Sequence, residues 1–225
     1  MIKIAVAGSH GKMGKRIIDL AEKDKGLDIV SKFDIGVPAE PEIEKCDILI
    51  EFTAPQATVE HVKIAAKLKK GVVIGTTGLS KEDNDAIQEA SRHIPILISP
   101  NMSVGVNLLF KLCQDAARIL SQDYKVSIRE VHHIHKKDSP SGTAKRLRDV
   151  VAKERGVSAD IPIEAVREGE VVGEHKVIFE SGEELIELFH SAKSRDTFAR
   201  GALSAAKFLA GKKSGVYNMR DVLGI

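Results

Sequence analysis

Apolar and polar positions along the first hundred residues switch repeatedly between the period of a buried strand and that of a helix. Ile2-Lys-Ile-Ala-Val-Ala7 reads as a strand, and Lys15 to Lys23 as a helix. Asp28 to Phe33 is again strand-like. Asp47 to Phe52 pairs with a helical Gln56 to Lys69, Val72 to Gly75 with Ser80 to His93, and Ile94 to Ile98 closes the series. Strand and helix in strict alternation predict an α/β fold of Rossmann-like kind, a parallel sheet with helices on both faces and right-handed crossovers.

The pattern changes after Ser103, which caps a long amphipathic helix from Val104 to Leu120. A strand, Tyr124 to His133, leads to a helix capped by Ser141 and running to Arg155. Strands then follow one another without helices at Ile161 to Arg167, Val171 to Glu180 and Glu184 to His190, the last two joined by the hairpin signal Ser181-Gly182. This predicts a second, α+β domain with a mixed or antiparallel sheet. A final helix, Phe198 to Ala210, and the segment Gly215 to Leu223 should return to cover the first sheet. The expected division is a dinucleotide-binding domain over 1–102, a substrate-binding and oligomerisation domain over 103–194, and a returning tail over 195–225.

Composition narrows the class. Among 225 residues, 43% are hydrophobic, 29% charged and only 4% aromatic, with a net charge of +2. So weak a basic excess, with no Trp, argues against nucleic acid as a partner. Cys46 and Cys113 stand in unrelated contexts, which fits packing residues in a reducing compartment. No apolar run is long enough for a bilayer and the chain opens directly on a strand, so a cytoplasmic protein without a membrane partner is expected.

Two stretches carry chemistry. Gly8, Gly11 and Gly14 lie between the first strand and the first helix, spaced to cradle a pyrophosphate at the helix start. Asp34, twenty positions on, stands where an acid grips adenosine ribose hydroxyls; Ile35 beside it favours NADH, while Lys32 leaves NADPH open. Phe52-Thr-Ala-Pro55, Gly75-Thr-Thr-Gly78 and Ser99-Pro-Asn-Met102 should line the same carboxyl edge of the sheet, where a nicotinamide would lie.

The second stretch is Glu130-Val-His-His-Ile-His-Lys-Lys-Asp-Ser-Pro-Ser-Gly-Thr143, which holds three of the eight histidines. Imidazoles, lysines and the amides of Gly142 and Thr143 at a helix start suit a small carboxylate or phosphate compound and a proton transfer near neutral pH. A solvated basic turn explains the lysines but not the histidines. A metal held by His132, His133, His135 and Asp138 requires an abrupt strand break, since alternation sends His132 and His133 to opposite faces; no metal is expected. Arg195, before the last long helix, is either a clamp for a substrate carboxylate or an ordinary surface arginine.

These segments, together with Glu51-Phe-Thr-Ala-Pro55, Val172-Gly-Glu-His175, Ser194 to Ala202 and Met219 to Leu223, closely resemble the 4-hydroxy-tetrahydrodipicolinate (dihydrodipicolinate) reductase family over nearly the whole chain. The resemblance implies reduction of a small cyclic dicarboxylate by NADH or NADPH in lysine and diaminopimelate biosynthesis. It implies cofactor contacts from Gly8, Ser9, His10, Gly11, Lys12, Met13, Asp34, Gly75, Thr76, Thr77, Ser99, Pro100, Asn101 and Met102. His132 would then be the proton donor, Lys136 a second donor, and His133, Gly142 and Thr143 substrate ligands, in a homotetramer built through the second-domain sheet. Closure of the two domains would unite them. Lys12, Met102 and Glu51 stand where the family commonly has Arg, Phe and Asp. A nucleotide-sensing protein without redox activity and a metal-dependent hydrolase are the rival expectations.

Overall fold

The structure, a computed structural model, describes residues 1–157 and 160–225. The chain divides into two compact units, Met1–Ser103 with Arg195–Gly224, and Val104–Ser194.

The first unit contains β1 (Ile2–Ala7), α1 (Lys12–Ala21), β2 (Leu27–Phe33), α2 (Ala39–Glu44), β3 (Ile48–Glu51), α3 (Pro55–Lys67), β4 (Gly71–Ile74), α4 (Lys81–Ala90) and β5 (Pro95–Ile98). In the second unit lie α5 (Val104–Ile119), β6 (Lys125–His132), α6 (Gly142–Arg155), β7 (Ile163–Arg167), β8 (Glu174–Glu180) and β9 (Leu185–Ser191). The chain then re-enters the first unit with α7 (Asp196–Leu209), β10 (Gly215–Tyr217) and α8 (Met219–Leu223).

All six strands of the first sheet are parallel, in the order β10-β5-β4-β3-β1-β2. Successive side chains of a strand point to opposite faces, and each face here has its own core. Ile4, Val6, Ile48, Ile50, Val73 and Leu97 pack with Ile17 and Leu20 of α1 and with Ala199, Ala202, Ala206 and Leu209 of α7. Ala5, Ala7, Leu49, Val72, Ile74 and Ile96 pack with Val62 and Ala65 of α3 and Ile87 and Ala90 of α4. Cover on both faces explains why every residue of β3 and β4 is buried, and why these strands are apolar almost without alternation. Gly201 lets α7 lie directly on the chain, since a Cβ there would fall 1.8 Å from the Met102 carbonyl oxygen.

The predicted α/β architecture is present, with local differences. Helix α1 starts at Lys12, not Lys15, because Gly14 is taken into its first turn. Helix α2 was not predicted; Pro41 lies in its first turn, where no amide donor is needed. Strand β10 was not predicted either, being only three residues long.

The second unit has a mixed four-stranded sheet, β7-β6-β8-β9, with β6 parallel to β7 and antiparallel to β8. Its buried face meets α5 and α6 through Ile128, Val177, Phe179, Leu109, Phe110, Leu147 and Val151. The opposite face carries Arg129–Glu164 and Lys176–Glu187 ion pairs. Strand β8 begins at Glu174 and not Val171, because the Val171 carbonyl is used by the His133 amide at 2.7 Å.

Candidate active site

In the first unit the parallel order brings the loops after β1, β3, β4 and β5 to one sheet edge, with Asp34 after β2 beside them. Gly8 has φ +74°, and a Cβ there would stand 2.4 Å from the Phe52 carbonyl oxygen. At Gly14 a Cβ would stand 2.1 Å from the Gly8 oxygen, so the turn and α1 touch backbone to backbone. The helix starts at Gly11 with no side-chain cap and no acid in its first turn. A bare, electropositive helix start closed by glycines suits a diphosphate, the anionic link of a dinucleotide. Ser9 is buried; His10, Gly11 and Lys12 are exposed, and Met13 is half-buried.

Asp34 is held by the turn it faces. Its carboxylate accepts from the His10 amide at 2.8 Å and the Ile35 amide at 2.9 Å, and these bonds keep it below the usual carboxylate range. Each carboxylate oxygen retains a second lone pair for a hydroxyl donor. Lys32 is turned to Glu22 at 2.7 Å, so the cation that left NADPH open is engaged elsewhere.

Beneath the edge lies a polar network that the sequence did not reveal. Glu51, fully buried at the end of β3, accepts from Thr53 and faces His61 Nδ1 at 2.7 Å. Thr58 of α3 bonds Thr76 at 2.8 Å, tying that loop down. A Cβ on Gly75 would meet the Phe52 ring at 2.2 Å. Thr77 and Pro100 are exposed; Ser99 donates to the Asn101 carbonyl, and Asn101 accepts from the Ser103 amide. Met102 is 2% exposed, its side chain packed in the core with Ala199 and Ala202. Arg195 is the N-cap residue of α7 in the first unit, whereas the other expected substrate residues are in the second.

In the second unit the strand register builds the site. Glu130 stands opposite His175 across β6 and β8, and His132 stands beside Arg167 across β6 and β7. Glu130 and His132 are two positions apart, so they continue the face that buries Ile128. Glu130 Oε1 accepts from the Ser141 amide at 2.9 Å and from Arg167 Nη2 at 3.1 Å. Its Oε2 lies 3.4 Å from His132 Nδ1 and 3.7 Å from His175 Nε2. Burial opposes the charge on Glu130, but Ser141, His132 and Arg167 outweigh it and hold the carboxyl below its ordinary value. Burial also pushes the pKa of His132 down, against the pull of Glu130 and with Lys136 and Arg167 adding to the fall. His175 is pushed down to about 3, chiefly by burial and then by His132.

The three adjacent histidines do not form one cluster. His132 is buried, His133 half-buried, and the His135 side chain is 72% exposed near Glu170. The metal set weighed in the sequence is therefore not assembled. A different trio, Glu130, His132 and His175, has donor atoms within 4.8 Å of one another. Arg167 already places a cation on that carboxylate, which disfavours a second one. Lys136 pairs with Asp138 at 2.7 Å. Gly142 is exposed, with no atom near its Cβ position, and Thr143 is half-buried, so the helix start is open at Gly142; Ser141 caps it through the Ala144 amide at 3.2 Å.

Comparison with known proteins gives concordant results. The family description "Dihydrodipicolinate reductase, N-terminus" matches residues 2–102, and its C-terminal counterpart matches residues 105–223. The chain is 40% identical to the 4-hydroxy-tetrahydrodipicolinate reductase of Syntrophus aciditrophicus over 265 aligned residues, covering 100% of this chain and 99% of that protein. With the Aquifex aeolicus enzyme of the same description it is 40% identical, covering 100% and 99%. Among solved structures, a dipicolinate-bound dihydrodipicolinate reductase from Paenisporosarcina superposes with a TM-score of 0.83 at 23% identity, covering 98% of both chains.

Proposed function

We infer the chemistry of the site from one premise: the chain belongs to the dihydrodipicolinate reductase family, and it is an NAD(P)H-dependent reductase of 4-hydroxy-tetrahydrodipicolinate in lysine and diaminopimelate biosynthesis. The observation that carries the mechanism is His132, a desolvated imidazole at the end of β6, grouped with Glu130 and Ser141 at the start of α6.

Gly8, Gly11 and Gly14, which leave the first turn of α1 bare, would hold the diphosphate of a dinucleotide, and Asp34 would take ribose hydroxyls. The loops at Gly75–Thr77 and Ser99–Met102 would hold its nicotinamide end. When bound, the reduced nicotinamide supplies a hydride to the ring of the substrate. His132, as imidazolium, gives a proton from Nε2 to the carbon left electron-rich and returns to neutral imidazole; solvent restores the proton. Lys136, His133 and the amides of Gly142 and Thr143 hold a ring carboxylate. A doubly anionic ring favours the charged form of His132, so the substrate itself loads the acid. Arg195, partly buried at the start of α7, is a further candidate clamp for a substrate carboxylate.

NADH is preferred, because Asp34 repels a 2′-phosphate and Ile35 beside it offers no cation. The chain works in the cytoplasm as a homotetramer built through the sheet of the second unit, a reading supported by the exposed Leu185 and Phe189 on its edge strand β9; light scattering of the purified protein tests the assembly.

The activity is tested by oxidation of each cofactor in an assay that generates the hydroxylated precursor in place. Turnover with NADH at roughly tenfold or more the kcat/KM seen with NADPH is expected. Equal rates would overturn the cofactor assignment, and no turnover with either would overturn the activity.

A further inference from the structure

The reading of His132 as proton donor leaves one feature unused. Glu130 Oε2 and His132 Nδ1 are both buried, lie 3.4 Å apart, and neither has a hydrogen-bond partner. An acceptor and a ring nitrogen enclosed together in this way are costly unless they pair, and a small rotation of the imidazole makes the bond. The other carboxylate oxygen is fixed by the Ser141 amide and Arg167, so Glu130 cannot swing aside to find another donor.

We propose that Glu130 is a positioning residue that takes the Nδ1–H of His132, fixing the ring's tautomer and orientation so that Nε2 alone exchanges the proton with the substrate. Gly173 completes the arrangement. A Cβ there would stand 3.0 Å from His132 Nε2, so the glycine keeps that atom uncovered. His175 packs edge-on against the ring with centroids 5.1 Å apart, and is itself 3.3 Å from the Ser141 hydroxyl. The remaining charged groups acting on the pair are Arg167 of β7 and Lys136 and Asp138 of the following loop, while His190 of β9 acts on His175. The device rests on the assignment of His132 above and adds residues from β6 and β8 to it.

The test uses the intact protein with 15N-labelled histidine. Wild-type His132 is expected as the Nδ1–H tautomer at pH 7.5, its resonance identified by its loss in His132→Gln. Glu130→Gln should mix the tautomers and lower kcat roughly 10- to 1,000-fold, with NADH affinity and the substrate KM within threefold of wild type. Gly173→Ala leaves Glu130 untouched, so it should retain the Nδ1–H tautomer and still lose kcat by about tenfold. This variant and the wild-type spectrum decide the matter even if Glu130→Gln fails to fold. An Nε2–H tautomer in the wild type overturns the proposal, as does full kcat in Glu130→Gln. Full turnover in His132→Gln would instead overturn the proton-donor assignment, so the two failures are distinguishable.

Discussion

Burial sets what His132 can do, because it outweighs the pull of Glu130 and keeps the imidazole neutral until a further anion approaches. Addition of pyridine-2,6-dicarboxylate should therefore raise its pKa by a unit or more, read from the ring proton shifts during a pH titration; an unchanged pKa would show that the ring diacid binds elsewhere. His132→Gln and Lys136→Ala should each lower kcat/KM by about 100-fold or more, with NADH binding retained in a fluorescence titration. Wild-type turnover in both would remove them from the chemistry. The sequence showed these two residues because they are crowded within five positions. It did not show Arg167 and His175 as neighbours of His132 and Glu130, since only strand register brings residues 35 and more positions away beside those two. Glu130 could have been found: it lies two positions before His132 on a strand, hence on the same face. Nor could spacing reveal that Met102 turns into the core or that Lys32 turns to Glu22, because both depend on side-chain partners from other elements.

At the scale of elements, helix starts carry the binding chemistry and differ in how they are finished. Helix α1 is left bare, and its approach depends on glycines, so Gly14→Ala must displace the turn from the helix. It should weaken NADH binding by at least tenfold and lower the melting temperature; unaltered affinity would mean that the diphosphate lies elsewhere. Helix α6 is capped by Ser141, whose backbone also serves Glu130. Ser141→Ala should cost about 1 kcal/mol of stability by urea unfolding, with no loss expected if the cap were merely decorative. The alternating order of the first sheet was legible because each strand is apolar on both faces and each helix on one. Short pieces such as α2 and β10 were not, as three to six residues hold less than two turns of helix or a recognisable alternation.

For the whole molecule, acid should be the weak side of the stability curve. His175 is ordinarily half-protonated at 6.5 but only near 3 when folded, and His132 is depressed as well. Between those values the unfolded chain binds more protons, so stability is complete above about pH 6.5 and falls as pH drops toward 3. Each histidine contributes a slope of up to about 1.4 kcal/mol per pH unit. Urea midpoints measured from pH 7.5 to 4 should decline accordingly, and His175→Phe should flatten the decline; a level wild-type curve would contradict the burial of these rings. The return of α7 and β10 to the first sheet has its own consequence for the growing polypeptide. On the ribosome the middle of the chain can close up as soon as it emerges, while the portion made first, with α1 already on part of one flank, must wait for α7 and β10 to cover the rest of that flank and close the open edge. Birth order and completion order are thus inverted, and a message cut short near its end yields a finished middle joined to an unfinished beginning.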